Sequence, residues 1–291
     1  MICLLSFPRS GSTWLTGCLL SAGLRLCVEP FYRARDYPES RHVARWNREV
    51  LREYRSDYCN PRPSPLVTER LPAVVEAWCR AVEGRQDGFK EVYSSFHVRS
   101  FVDGIASAGL GLKLLYLWRD FPALAASYEK RDLWYWLVAY CQRTLDNATT
   151  EDERLLTSLA LPTENLERLF LMWLVSIYSD LGAVCRLVPD APRLRHADLL
   201  TSPGPDGRGG PWGDVLTYLG CDGKVNAALH RRMNIGDGPR ETGQLEAERR
   251  RFLERYQTRL DHLRFAALSV ADEVERPDDL RSMFREEAWT S

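Results

Sequence analysis

A short loop near the amino terminus carries residue types that are typical of an anion-binding site. It follows an apolar run at residues 2–5 and precedes apolar residues at helical spacing. The loop and the first helical positions combine one fixed positive charge with small and hydroxyl residues, namely Arg9, Ser10, Gly11, Ser12 and Thr13. Backbone N–H groups and hydroxyls at a helix start are well placed to hold a phosphate. We therefore predict a strand, a tight loop and a helix that form a phosphate cradle.

The loop differs from the P-loop of proteins that bind nucleoside triphosphates. That motif reads G-x-x-x-x-G-K-[ST], and its lysine reaches the terminal phosphates. In this chain Ser12 occupies the position of the lysine, and no glycine lies at the required upstream position. The loop suits a smaller group, a phosphate that carries one further anionic group, with Arg9 supplying the charge. A nucleotide kinase of the P-loop type remains an alternative.

A carboxylate and a lysine follow two further apolar runs. Residues 24–28 predict a short strand that ends at Glu29, and residues 88–93 predict a strand that contains Lys90. The carboxyl end of a parallel strand points into the ligand crevice of an open sheet. We therefore predict that Glu29 is a general base and that Lys90 contacts the transferred group. His97 is a rival base, although an isolated histidine in such a run is more typical of a structural residue.

A second phosphate site is indicated farther along the chain. Residues 112–118 are almost continuously apolar, which is typical of a strand that is buried on both faces of a parallel sheet. Arg119 ends this run, Pro122 starts the next helix and Ser127 follows within it. An arginine fork and a hydroxyl can hold one phosphate together. We predict that Arg119 and Ser127 do so.

These two motifs together resemble those of the sulfotransferases that use 3′-phosphoadenosine 5′-phosphosulfate (PAPS). Residues 7–15, FPRSGSTWL, are similar to the 5′-phosphosulfate loop of that family, and Arg119 with Ser127 is similar to its 3′-phosphate site. The strand that ends in Glu29-Pro30 is similar to the carbohydrate-type branch. The phenol and steroid branch has a histidine after a Lys-Thr pair, whereas Glu91 follows Lys90 here.

The resemblance implies transfer of a sulfuryl group from PAPS, as co-substrate, to a hydroxyl or an amine of a glycan or small-molecule acceptor. It assigns Arg9 and Lys90 to the sulfuryl and bridging oxygens, and the residues from Ser10 to Thr13 to the 5′-phosphate. Trp14 would face the adenine, Glu29 would take the acceptor proton, and Arg240 in a later glycine-containing loop would close over the 3′-phosphate. The family's transfer needs no metal. A catalytically inactive PAPS-binding protein is the alternative from a non-enzyme class.

The alternation of strand and helix patterns predicts an α/β fold with three layers, α/β/α, around a central, mostly parallel sheet of about five strands. A chain of 291 residues can form one large domain, so we expect a single domain over 1–291. Residues 71–82 and 164–187 predict covering helices. Residues 193–200 resemble a family segment that buttresses the sheet, with His196 and Ala197 replacing its Tyr-Glu, and predict a last strand that turns into a loop.

Two segments are expected to differ from the core. Residues 31–65 are rich in Arg, Tyr and Pro, and we interpret them as a lid or acceptor region with one helix near residues 43–54. Residues 202–213 predict a flexible excursion before a helix at Asp214. Aromatic residues near the second motif could form an acceptor platform or belong to the core; they are Trp134, Tyr135, Trp136 and Tyr140.

Composition restricts the partners that we expect. The formal net charge is −1, which offers no electrostatic basis for binding nucleic acid or an anionic membrane. The sequence has no long apolar stretch for membrane insertion, no signal peptide pattern and no clustered metal ligands. Its eight cysteines show no C-x-x-C spacing. We therefore expect reduced thiols in a cytoplasmic enzyme.

Overall fold

A sheet of five parallel strands organises the described part of the chain. The computed structural model describes residues 1–33, 38–57, 64–92, 97–134, 137, 164–170, 173, 184, 186–200, 210–227 and 242–271. The strand order is β2-β3-β1-β4-β5, and every pair of neighbours is parallel. The strands are β1 (Ile2–Ser6), β2 (Leu26–Val28), β3 (Gly88–Glu91), β4 (Lys113–Trp118) and β5 (Arg193–Arg195).

Helices cover both faces of this sheet. Those with assigned bounds are α1 (Ser12–Ser21), α2 (Pro38–Trp46), α3 (Arg48–Asp57), α4 (Pro65–Val82), α5 (Val98–Ser107), α6 (Phe121–Arg131), α7 (His196–Leu200), α8 (Pro211–Leu219) and α9 (Thr242–Ala271). Within the segment predicted as one long helix at 164–187, residues 165–170 are helical, and most of the remainder lies outside the described residues.

The apolar side chains of β1 divide the core into two layers because alternate residues of a strand point to opposite faces. Ile2 and Leu4 pack in a cluster with apolar residues of α1 and α8. Cys3 and Leu5 pack in a second cluster with residues of α4, α5 and α6. The predicted α/β class, its three layers and its central parallel sheet are therefore confirmed.

Residues 38–57 form two helices, so the single helix predicted near residues 43–54 is wrong. The interruption lies at Asn47, whose side-chain amide donates to the backbone oxygen of Val43 at 3.0 Å. Such side-chain bonds compete with the helical ladder and favour a helix end. Val50, Leu51 and Tyr54 of α3 are buried against the core.

Several other boundaries differ from the predicted ones. Helix α4 begins at Pro65, six residues before the apolar periodicity, because the Ser64 hydroxyl accepts from the Val67 N–H and proline suits the first helical turn. Helix α8 begins at Pro211, inside the predicted 202–213 excursion, whose residues before 210 lie outside the described ranges. The predicted loop after the last strand is the short helix α7.

Two expectations about the chain's environment can be compared with the described residues. No helix in the described ranges combines the length and the apolar character that crossing a bilayer requires. Cys3, Cys18, Cys27 and Cys79 are buried, and none of these four is joined in a disulfide bond. These four cysteines therefore belong to the core.

Substitution of Gly104 tests the contact between α4 and α5. A β-carbon on Gly104 would lie 2.6 Å from the backbone oxygen of Pro72 and 2.5 Å from the β-carbon of Val75. A Gly→Ala change inside a helix usually stabilises by about 1 kcal/mol. Here we expect Gly104→Ala to lower the free energy of unfolding by about 1–3 kcal/mol, because the helices must separate. Urea unfolding measures the change.

Gly111→Ala is the matched control, because a β-carbon there would meet nothing within 4 Å. We expect it to change the free energy of unfolding by less than about 0.5 kcal/mol. A Gly104→Ala protein as stable as the parent would show that the two helices do not pack as closely as described.

Candidate active site

The loop between β1 and α1 has the geometry of a tight turn. The Ser10 N–H donates to the backbone oxygen of Phe7 at 3.1 Å. Arg9 and Gly11 have φ angles of 68° and 93°, in the left-handed region. Gly11 adopts this conformation without strain, whereas for Arg9 it is uncommon. The predicted strand, tight loop and helix are all present.

The loop contains a buried hydroxyl without a hydrogen-bond partner. Ser10 is 0% exposed, and its Oγ contacts no donor or acceptor. A buried hydroxyl in this state costs about 1–3 kcal/mol. Gly11 is the N-cap of α1 and has no side chain that could cap the first N–H groups. These donors make the loop suitable for an anion.

The remaining hydroxyl residues of the predicted cradle differ in exposure. Ser12 is buried at the start of α1, and its backbone oxygen accepts from the Thr16 hydroxyl at 2.7 Å. Thr13 is exposed. Thr13 is therefore the more accessible of the two hydroxyls for a ligand.

The two predicted phosphate-binding motifs meet in the structure. The guanidinium of Arg9 donates from Nε and from Nη2 to the Ser127 hydroxyl, both at 3.2 Å. Arg119 donates from Nη1 to the backbone oxygen of Arg9 at 3.1 Å. We call Arg9, Arg119 and Ser127 the arginine cluster. It carries two fixed positive charges beside the loop, on the β4 side of β1.

The end of β4 is itself held by its neighbours. The backbone oxygen of Arg119 accepts from the indole N–H of Trp173 at 3.0 Å. The next residue, Asp120, is the N-cap of α6 and forms an ion pair of 2.9 Å with Arg195 at the end of β5. These contacts orient both Arg119 and the helix that carries Ser127.

Glu29 and Lys90 form a buried ion pair on the opposite side of β1. Lys90 Nζ lies 3.0 Å from Glu29 Oε1, and the two residues are 2% and 7% exposed. The Glu29 N–H also donates to the backbone oxygen of Lys90 at 2.7 Å. Pairing of β2 with β3 brings these residues side by side, since Val28 is aligned with Lys90. Because both groups are buried, each charge depends on the other for compensation.

The second oxygen of Glu29 is also occupied. Arg33 Nε lies 3.0 Å from Glu29 Oε2, and the Arg33 side chain is largely exposed. Arg33 therefore covers the carboxylate from the solvent side. Its position four residues after Glu29 was the only sequence signal for this contact, and we did not assign Arg33 a role.

Glu91 is a second carboxyl group close to this pair. Its Oε1 accepts from the Phe31 N–H at 2.9 Å, and its Oε2 accepts from the Tyr54 hydroxyl at 3.3 Å. Complete burial raises the pKa of Glu91 from 4.5 to about 8, and the charge of Glu29 contributes in the same direction. Glu91 is therefore mostly protonated at neutral pH, while the neighbouring Glu29 pairs with a lysine.

Backbone strain coincides with two of the predicted site residues. Among the described residues, three that are not glycine have positive φ: Arg9, Glu29 at 53° and Asp132 at 50°. Asp132 ends α6, where a left-handed residue is common. No helix end accounts for the left-handed conformation of Arg9 and Glu29. Strained backbone of this kind is frequent at functional sites.

Trp14 is buried, unlike an aromatic ring that is open to a ligand. It is 2% exposed, and its ring meets those of Trp212 and His196 edge-on at 5.7 Å and 5.2 Å. Trp14 packs in the apolar cluster that β1, α1 and α8 form. Its burial weighs against the adenine contact expected for it, which stays a prediction.

His196 is a site residue that our sequence analysis did not select. Its ring lies so close to Gly11 that a β-carbon there would be 2.3 Å from Cδ2 of the histidine. Burial, with a contribution from the charge of Arg119, holds the pKa of His196 well below its usual value of 6.5. Its place directly after β5 was an available signal, because Glu29 and Arg119 also directly follow strands.

The remaining predicted residues do not join the site. His97 is buried at the start of α5, with its ring 5.0 Å from that of Tyr54. Trp134 is half-buried and lines a cavity of about 350 Å³ between residues 164–168 and α9. None of the loop and strand-end residues lines this cavity. Arg240 lies outside the described residues, as do Tyr135, Trp136 and Tyr140.

We compared the chain with known proteins in three ways: no family model, no curated protein and no solved structure matches it. The assignment of a function therefore depends on the chemistry and geometry of the residues described above.

Substitution of Glu91 tests its environment through the pH dependence of stability. Between pH 4.5 and about 8 the folded chain keeps a proton on Glu91 that the unfolded chain has released. The free energy of unfolding should therefore fall as the pH rises through this window, by on the order of 3–5 kcal/mol in total at its upper end. Glu91→Gln should remove this fall. Urea unfolding at several pH values measures the effect.

Glu76→Gln serves as the control, because Glu76 is a partly exposed carboxylate paired with Arg80 on α4. It should leave the pH dependence of the parent intact. If Glu91→Gln retains the same fall between these pH values, the protonated state assigned to Glu91 is wrong.

Proposed function

We propose that the protein is a sulfotransferase that moves a sulfuryl group from PAPS to a hydroxyl or an amine of a glycan or small-molecule acceptor. One observation carries this proposal. The carboxyl edge of the sheet holds the arginine cluster on one side of the anion loop and the Glu29–Lys90 ion pair on the other. Ligands of open α/β sheets bind at this edge.

The residues fit a donor that carries two separate anionic ends. The 5′-phosphate would bind at the start of α1, where Ser10 has a buried hydroxyl without a partner and Gly11 leaves the helix N-terminus uncapped by a side chain. The 3′-phosphate would bind to Arg119 and Ser127. Since Arg9 already donates to Ser127, we infer that Arg9 approaches the donor from this side and exchanges the hydroxyl for a phosphate or sulfuryl oxygen.

The Glu29–Lys90 ion pair fits the transfer step. Glu29 would accept the proton of the acceptor hydroxyl while the new oxygen–sulfur bond forms and the bond from sulfur to the phosphate oxygen breaks. Lys90 would stabilise the negative charge on that bridging oxygen. A preformed ion pair of 3.0 Å holds both groups in position before the substrates arrive.

Access to Glu29 requires a movement of Arg33. The guanidinium of Arg33 occupies the second oxygen of the carboxylate, and it lies on an exposed side chain. An acceptor hydroxyl would displace it. Arg33 belongs to the segment 31–65 that we interpret as an acceptor region, so the displaced arginine would remain available to contact an anionic acceptor.

Ligand binding tests the donor assignment. Adenosine 3′,5′-bisphosphate should raise the melting temperature of the protein, because a ligand that binds the folded state stabilises it. Ser127→Ala should weaken binding about tenfold, which corresponds to about 1.4 kcal/mol. Ser100→Ala is a matched control, because Ser100 lies in α5, outside this cluster. Thermal shift and titration calorimetry measure both effects.

Two outcomes would contradict this assignment. Stabilisation by magnesium-ATP, with none by the bisphosphate, would favour the alternative of a P-loop-type nucleotide kinase. Absence of binding to either compound would exclude both functions.

Removal of the base tests the transfer step. Glu29→Gln should lower turnover about 10²- to 10⁴-fold, because no group would then take the proton from the hydroxyl that attacks the sulfur. Its affinity for adenosine 3′,5′-bisphosphate should stay within a few-fold of the parent, which also shows that the variant folds. Release of bisphosphate from PAPS with a panel of glycan and small-molecule acceptors measures turnover.

Glu129→Gln is the control, because this carboxylate on α6 pairs with Arg255 and lies away from the Glu29–Lys90 pair. If Glu29→Gln turns over within a few-fold of the parent, another group is the base. Binding of the bisphosphate without turnover by the parent on any acceptor would instead favour an inactive PAPS-binding protein.

A further inference from the structure

His196 occupies an unusual position at the anion loop. It follows β5 directly, and its ring lies against Gly11, the N-cap of α1. A β-carbon on Gly11 would lie 2.3 Å from Cδ2 and 2.5 Å from Nε2 of the imidazole. The edge of the ring that carries Nε2 therefore faces the loop, and only glycine leaves room for it there.

The ring of His196 is buried beside this loop, and only 6% of the residue is exposed. Ser10, the neighbour of Gly11, is fully buried, and its hydroxyl has no hydrogen-bond partner within the described part of the chain. A buried hydroxyl in this state is uncommon, because most such groups in proteins are hydrogen-bonded. An oxygen of a ligand bound at the loop would accept from this hydroxyl and would lie close to the imidazole.

The charges around His196 are those of an anion site. The positive charge of Arg119 is close enough to contribute to the low pKa of the imidazole. Trp14 covers another side of the ring with its edge at 5.2 Å. On the histidine's own elements, Arg195 is paired with both Asp120 and Asp198. The charge that acts on the imidazole is that of Arg119, which favours the neutral ring.

We propose that His196 is a further ligand of the phosphate site, and that its imidazole donates to an oxygen of the phosphate bound at the loop and takes up a proton when that phosphate binds. The inference rests on the proposed function, because it concerns the same phosphate-bearing donor. It adds a residue and a pH dependence that the resemblance to known sulfotransferases does not contain.

Proton uptake follows from the change in charge at the site. Without the ligand, burial and Arg119 disfavour the imidazolium. A phosphate dianion between Arg119 and His196 would offset the charge of the arginine and favour the protonated ring. The pKa of His196 is then higher in the complex than in the free protein. Binding takes up a proton at pH values between the two, and affinity falls as the pH rises through the higher one.

A simpler explanation is that His196 only fills the space beside Gly11. His196→Phe distinguishes the two because it keeps a flat ring and removes both nitrogens. His196→Gln is a second variant that retains an N–H donor but cannot titrate. A packing role predicts that the phenylalanine variant binds as the parent does, whereas a ligand role predicts weaker binding.

Titration calorimetry with adenosine 3′,5′-bisphosphate tests the proposal. Titrations at about pH 6 in MES and in Bis-Tris, whose ionisation enthalpies differ, count the protons that are taken up on binding. The phosphates of the ligand have a second pKa of about 6 and exchange protons in all three proteins. We therefore expect the parent to take up about half to one proton more than either His196 variant. We also expect about tenfold weaker binding for His196→Phe. His42→Phe is the control, because His42 is exposed on α2, and it should behave as the parent.

The outcomes separate this inference from the proposed function. Binding of the bisphosphate with proton uptake that is equal in the parent and both His196 variants would overturn the role of His196 and leave donor binding intact. The same holds if none of the three proteins takes up a proton. If the parent does not bind the bisphosphate, the proposed function fails and the inference fails with it. Should His196→Phe not fold, the glutamine variant supplies the same comparison.

Discussion

The parallel hydrogen bonding of the central strand β1 is the constraint on which the candidate site depends. On one side Leu4 is aligned with Lys90 of β3, and on the other Ser6 is aligned with Leu117 of β4. These registers bring the anion loop, the Glu29–Lys90 pair and Arg119 to one edge. A slip of one residue would turn alternate side chains to the opposite face of the sheet. Lys90 would then no longer be aligned with Leu4, and the apolar clusters on both faces would be disrupted.

Much of this framework is predictable because it depends on local sequence. The run at residues 112–118 has the apolar continuity of a strand covered on both faces, and β4 lies at Lys113–Trp118. Likewise Ser12 begins the apolar helical spacing and is the first residue of α1. These assignments predict where each strand ends. Because the carboxyl ends of parallel strands share one edge of the sheet, they also predict that the site residues lie near that edge, namely Arg9, Glu29, Lys90 and Arg119.

The details that were not predictable depend on neighbours distant in the sequence. The position of Arg9 in the sequence gives no indication that its guanidinium donates to Ser127, because that contact depends on where α6 packs. The burial of Trp14 depends on the packing of Trp212 of α8 against it. The proximity of His196 to Gly11 depends on the place of β5 in the sheet. The break at Asn47 is a local effect, yet a single amide that competes with the helical ladder is too weak a signal to identify beforehand.

The buried ion pair of Glu29 and Lys90 also constrains how this protein can change during evolution. Either charge alone in this interior would be left without compensation, which typically costs about 3–5 kcal/mol. A replacement at one position is therefore tolerated only together with a suitable replacement at the other. The two positions are strongly epistatic, and a lineage that replaced both residues by an apolar pair would pass through a destabilised intermediate. Folding alone therefore favours retention of the pair.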